Sequence, residues 1–196
     1  MAKNVFISFR FEDGAGYKNM LANKFDRFYD TVDFSEDQDR SWMSEDTIRK
    51  YLYSKLRQSS VTIVLLTPHA VNHKHDRYGR YNDWMYDEIR YSLEDRESNR
   101  TNGLIAVYTP DAENMLISKH DWGIEVKNVD NLFRVNMMNV KAAYKKEPEQ
   151  DLYNADYDSY CSLVSWSDFT GNIGRYIDIA IEKRNVKNRY DIVKRL

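Results

Sequence analysis

Hydrophobic and polar positions follow two rhythms along this chain, and the changes between them mark the expected elements. Val5-Phe6-Ile7-Ser8-Phe9 is short and apolar with β-branched and aromatic members, which predicts a buried strand, and the polar stretch from Arg10 to Gly16 reads as the loop leaving it. Met20, Leu21, Phe25 and Phe28 recur at three- and four-residue spacing, so a helix is expected over residues 17–29. Thr31-Val32-Asp33-Phe34 is a weaker second strand, followed by an aperiodic polar run from Ser35 to Ser41. Ser44 then offers an N-cap, Glu45 and Asp46 suit the positive end of a helix dipole, and Ile48, Leu52 and Leu56 make a buried stripe that ends near Gln58. Val61 to Leu66 is a continuous apolar run, as expected of a central parallel strand covered on both faces, and Thr67-Pro68 stops it.

The next periodic stretch is the most informative one. Asn82 can cap a helix running to Glu97, on which Met85, Ile89 and Leu93 form a core stripe while Tyr81, Trp84, Glu88 and Tyr91 form another. That second stripe sets one carboxylate between aromatic rings, a setting in which an acid is either partly desolvated and chemically useful or an ordinary solvated surface group. Asp83 and Asp87 beside it read as capping and solvated acids. Gly103 to Tyr108 is a fourth strand, closed by Thr109-Pro110. Periodicity is poor from Asp111 to Tyr157, which reads as an insertion with short elements inside one domain spanning residues 1–196. Tyr160 to Trp166 is a fifth strand; Ser167 caps a last helix with Phe169, Ile173, Ile177 and Ile181 inward, and the basic stretch 183–196 reads as its solvated end.

Five strands alternating with helices imply an α/β fold: a flavodoxin-like five-stranded parallel sheet with helices on both faces and an irregular insertion before the last strand. Ligands in such sheets bind at the carboxyl ends of the strands. That edge gathers Ser8, Phe9, Arg10 and Phe11 with the start of the helix carrying Trp84 and Glu88.

Composition narrows the partners. With 196 residues and 42% hydrophobic content, one sizeable core is affordable, and 29 Lys plus Arg against 31 Asp plus Glu give no global attraction to nucleic acid or an anionic membrane. The lone Cys161 has no internal disulfide partner, and no run nears the ~20 apolar residues of a membrane span, so a reducing cytoplasm is the expected location. The 15 tyrosines suggest surfaces that stack rings or contact proteins. Several motifs fail. Gly14-x-Gly16 lacks the third glycine of a dinucleotide fingerprint, where Asn19 stands, and the acids of the loop after Phe34 lack the order of a calcium loop. His69, His73 and His75 have neither cysteine nor regular element to aim them at a metal, so no metal site is expected.

Three segments in order carry a resemblance. Asn4 to Arg10 is similar to the first box of TIR domains, Ser60 to Leu66 to their central strand, and Trp84-x-x-x-Glu88-Ile89 to the WxxxE helix of the enzymatically active members. The beginning of the chain and the run from Asp46 to Leu66 most resemble the stand-alone TIR-like proteins of bacterial Thoeris anti-phage defence. The resemblance covers residues 4–109; the insertion and the loop after Phe34 depart from it. It implies a TIR-like fold and an NAD glycohydrolase or ADP-ribosyl cyclase that releases nicotinamide, with Glu88 catalytic. The implied product is a cyclic ADP-ribose isomer acting on a separate effector protein, with a phage trigger and self-association as further partners. NAD is then substrate, and no cofactor is implied. Trp84, Phe9 and Phe11 offer ring faces, Arg10 suits a pyrophosphate, and Ser8 completes the substrate-binding group. Two readings from other classes stay open: a non-enzymatic TIR-like protein-interaction module, and a nucleoside or nucleotide N-glycosidic transferase of related fold. A receiver-like phosphoacceptor would need acids where Ser8-Phe9-Arg10 and Thr67-Pro68 stand.

Overall fold

The computed structural model describes residues 3–28, 31–33, 45–71, 84–95, 100–121, 123–146 and 154–196. In chain order these form β1 (Lys3–Ser8), α1 (Phe11–Phe28), β2 (Thr31–Asp33), α2 (Glu45–Gln58), β3 (Val61–Leu66), α3 (Pro68–Val71), α4 (Trp84–Leu93) and β4 (Gly103–Tyr108). There follow α5 (Glu113–Leu116), a hairpin of β5 (Ile117–His120) and β6 (Gly123–Val126), α6 (Asn131–Arg134), β7 (Cys161–Ser165), α7 (Trp166–Gly171) and α8 (Ile173–Asn185). Among the described residues the main sheet has five strands in the order β2-β1-β3-β4-β7, every pair parallel. This is the flavodoxin-like winding, and its order reverses between β1 and β3, where the chains leaving the two strands diverge and open a crevice.

Strand periodicity divides the core into two layers. Val5, Ile7, Val61, Ile63, Leu65, Ile105 and Val107 meet Leu21 and Phe25 of α1 and Ile173, Ile177 and Ala180 of α8. On the other face Phe6 packs with Leu52 and Leu56 of α2 and Tyr91 of α4. Val64, Leu66, Leu104 and Ala106 on that face pack with Met85, Ile89 and Leu93, joined by Leu132 and Phe133 of α6. The stripe assigned to the core on α4 is therefore core, and its carboxylate-bearing neighbour is held against the same layer.

The structure corrects the expected elements in several places. Residues 11–16 are not a loop: α1 starts at Phe11, with Glu12 and Asp13 in the first turn where acids favour a helix. Gly14 sits inside that helix because a Cβ there would stand 3.1 Å from Phe9 Cβ, so close packing, not a turn, calls for glycine. The loop expected after Thr67 begins as α3, for which Pro68 supplies a preset φ. Ser165, not Ser167, caps α7 by accepting from the Asp168 N–H, and the expected last helix is broken at Asn172 into α7 and α8.

The C-terminal stretch is anchored at several points, while residues 188, 189, 191 and 193–196 are exposed as a solvated end would be. Lys183 is buried and donates to the Ser159 carbonyl at 2.7 Å and to Ser162 Oγ at 2.6 Å. Beyond it the chain lies along the insertion: Asn136 bonds both the N–H and the carbonyl of Val193, Val140 bridges Tyr190, and Arg195 reaches Glu94 just past α4. Leu116, Leu132 and Phe133 of the insertion are buried in the same cluster as β4 and α4. The expected loop after Phe34, the Ser44 and Asn82 caps and Tyr81, Asp83, His73 and His75 lie outside the described residues. Among the described residues no helix is long and apolar enough to cross a membrane.

Candidate functional site

The height of Glu88 over the sheet follows from one contact. Ser92 Oγ lies 2.8 Å from Thr62 Oγ1, fixing α4 to β3 at that level. Glu88 is one helical turn earlier, about 6 Å along the axis. The helix runs against the strands, so the matching step is two residues onward in β3 and β1, about 6.6 Å. Thr62 pairs with Phe6 and Val64 with Ser8, so that step leads to the carboxyl end of β1. Tyr91, on the same stripe as Glu88, packs with Phe6. Glu88 therefore stands at the level of Ser8, at the mouth of the crevice between β1 and β3.

Burial separates the two readings of that acid. Glu88 is 7% exposed, which excludes a solvated surface group, and Ser8 at the same level is 1% exposed with an Oγ that meets no hydrogen-bond partner among the described residues. The ring expected one turn after Glu88 is present: Tyr91 is buried and stacks on Tyr53 of α2, centroids 4.0 Å apart and planes 7° from parallel. Trp84 opens α4, but its side chain lies outside the described residues. Arg90 ties the helix further to α2 and to its own turn, donating to Tyr53 Oη at 3.0 Å and to Asp87 and Glu94. Burial works to lower the Arg90 guanidinium, but Tyr53, Asp87 and Glu94 around it leave it above its ordinary value. Asp87 is thus a half-buried ion-pair partner and not a solvated acid.

The remaining predicted residues split between the faces. Phe9 packs with the α1 side of the core, opposite to Ser8, and its ring lies 4.8 Å from that of Phe11. Phe11 is 38% exposed at the start of α1. Arg10 is half-buried, and its carbonyl accepts from the Gly14 N–H at 2.7 Å. Ser8 and Glu88 share a face; the Phe9 and Phe11 rings line the α1 flank of the same edge.

Sequence reasoning missed the group that ties together the two chain segments leaving β1 and β3. Asp13, in the first turn of α1, accepts from Thr67 Oγ1 at 2.6 Å and from the His69 N–H at 2.9 Å, so one carboxylate joins the chain leaving β1 to the chain leaving β3. Its place in an expected loop hid it. A second polar group flanks the edge beyond β3: Tyr17 donates to Asp111 at 2.8 Å and sets its ring edge-on against Trp166. Burial first, then Asp111, pushes the Tyr17 hydroxyl above its ordinary value. Cys161 is buried, and burial raises its thiol, so it is a packing residue. Among the described residues no group of three His, Cys, Asp or Glu side chains is arranged to hold a metal ion.

Chemically, the edge offers a desolvated carboxylate, a buried hydroxyl, a half-buried guanidinium and two ring faces around a crevice. The family model for the TIR-like domain of the Thoeris protein ThsB matches residues 6–114, more than half of the chain, from within β1 to within α5.

Proposed function

From the premise that the chain belongs to the TIR-like family of the Thoeris protein ThsB, a defence family, we propose that it cleaves NAD at the bond between nicotinamide and ribose. The observation that carries this is Glu88, 7% exposed at the carboxyl end of β1. The C1′–N bond breaks with its electron pair passing to the nicotinamide ring, which leaves neutral, so no general acid is required. What needs help is the positive charge that develops on the ribose, and an ionised carboxylate held in a water-poor crevice supplies it. Arg10 suits the pyrophosphate, Ser8 can bond a ribose hydroxyl, and Trp84, Phe9 and Phe11 supply ring faces.

The ribosyl cation is then captured by water, giving ADP-ribose, or by a hydroxyl of the same molecule, giving a cyclic isomer; in either case the captured oxygen releases one proton. An aromatic-walled crevice disfavours water, so the cyclic product is the reading adopted, with a separate effector protein as its receiver and a phage component as trigger. The test is nicotinamide release and product chromatography on wild type and Glu88→Gln, both purified and in extracts of phage-challenged cells. Glu88→Gln is expected to lose roughly a hundredfold or more in turnover while melting within a few degrees of wild type. Equal turnover by the two proteins sinks the assignment.

A further inference from the structure

A buried polar chain crosses the layer between the sheet and α4. The Asn102 side-chain amide donates to the Leu56 carbonyl at the end of α2 and to Thr62 Oγ1, both at 3.2 Å. Leu56 O can only accept, so the amide nitrogen must face it, and the orientation of the group follows. Ser92 Oγ gives its proton to the Glu88 backbone carbonyl at 2.7 Å. It therefore has only lone pairs left for Thr62 Oγ1, 2.8 Å away, and Thr62 must be the donor in that contact. The result is one directed series, from Asn102 through Thr62 and Ser92 to the carbonyl of Glu88.

All three residues are at most 1% exposed, in a layer otherwise filled by Phe6, Val64, Met85 and Ile89. The Asn102 backbone is fastened too, its N–H to the Ser92 carbonyl at 2.7 Å and its own carbonyl to Tyr160 Oη at 2.8 Å. Apolar residues of the same shape would fill this space without a buried amide whose Oδ1 meets no partner among the described residues. What a hydrogen-bonded series adds that apolar packing does not is register, because it accepts a single relative height of helix and strand. A hydroxyl bonded back to the carbonyl four residues earlier also bends a helix locally, here at the turn that presents Glu88.

We infer that Asn102, Thr62 and Ser92 are positioning residues that set the height and tilt of Glu88 over the carboxyl end of β1. The inference rests on the reading of Glu88 given under Proposed function. Thr62→Val and Ser92→Ala each break the series, and Thr62→Ser keeps it. In the first two, kcat for nicotinamide release is expected to fall roughly tenfold or more with KM within about twofold, and Thr62→Ser is expected to stay near wild type. NMR of protein carrying isotope-labelled glutamate, with the Glu88 carboxyl resonance identified by its loss in Glu88→Gln, reads the same displacement without turnover; that resonance is expected to move in Thr62→Val and not in Thr62→Ser. Wild-type kcat in Thr62→Val and Ser92→Ala beside an inactive Glu88→Gln overturns the inference and leaves the NAD-cleaving reading standing. An unmoved resonance in Thr62→Val overturns it whatever the turnover. Undiminished turnover in Glu88→Gln overturns the NAD-cleaving reading instead, and the resonance then decides the positioning role alone.

Discussion

At the residue scale, two buried ionisable groups show how position outranks residue type. Glu88 is buried at the level of the carboxyl end of β1; Lys183 is held where an ammonium serves packing, spanning from α8 to the amino end of β7. Burial lowers the Lys183 ammonium from its ordinary range to about 8. Because the unfolded chain keeps its proton to higher pH, it binds more protons than the native state between about pH 8 and 10. Lys183 by itself contributes a stability that rises with pH across that window, with a slope approaching about 1.4 kcal/mol per unit, and the buried Cys161 thiol opposes it, because burial keeps it protonated in the native state while an unfolded cysteine ionises near 8.5. Above the window Tyr190 adds to the opposing effect, since burial holds its hydroxyl up to about 12 in the native state while an unfolded tyrosine ionises near 10. Urea unfolding of wild type and Lys183→Met from pH 7 to 10 checks this: Cys161 is common to both proteins, so the stability of wild type relative to the variant is expected to rise with pH across the window, and a constant difference would refute the assignment.

Lys183 also marks a limit of sequence reading. A lysine late in a basic stretch reads as solvated, and nothing local reveals that Ser159 and Ser162 arrive beside it from before and within β7. Glu88 was legible as a candidate because three- and four-residue spacing fixes its stripe; its burial was not, since that depends on how the elements distant in sequence pack around α4. Thr62 and Ser92 carried a signal of a kind, a hydroxyl inside an apolar strand and another beside core positions of a helix. Asp13 gave none, as a helix beginning at Phe11 was needed to aim it.

At the scale of elements, strands were legible and the ends of helices were not. Continuous apolar runs fix β3 and β4 almost to the residue, whereas α1, α3 and α7 begin where packing and capping decide. Phe9 against Gly14 sets the entry to α1, and the Ser165 hydroxyl sets the entry to α7. Contact between α8 and β4 is the tightest of these fits. A Cβ on Gly103 would lie 2.4 Å from the Ala180 carbonyl oxygen, backbone that no rotamer change can relieve. Gly103→Ala gains at most about 1 kcal/mol from a stiffer unfolded chain. The forced separation of α8 from the sheet costs more, about 3 kcal/mol. The variant is expected to unfold at lower urea concentration with an unchanged slope; a stability equal to wild type would mean that α8 can ride higher without penalty.

At the scale of the whole molecule, the part that carries the site is not the part that completes the core. Residues 6–114 match the family and contain Glu88, Asp13 and the polar series. The face formed by Ile63, Ile105 and Val107 is covered in part by Phe169 of α7 and by Ile173, Ile177 and Ala180 of α8. A fragment of residues 1–114 is expected to bind a dye for exposed apolar surface and to lose cooperative unfolding, while the full chain does neither. A monomeric fragment that unfolds cooperatively would show that α1 alone shields this face.

Gly103 and Ala180 touch across the width of a helix and a strand, yet a ribosome makes them far apart in time. At elongation rates of about 5–20 residues per second, several seconds separate the synthesis of β4 from that of α8. For that interval a nascent chain has every side chain of the crevice between β1 and β3 already made and one sheet face still bare. The emergence of α8, and not that of the crevice, is then the event that lets this face leave water.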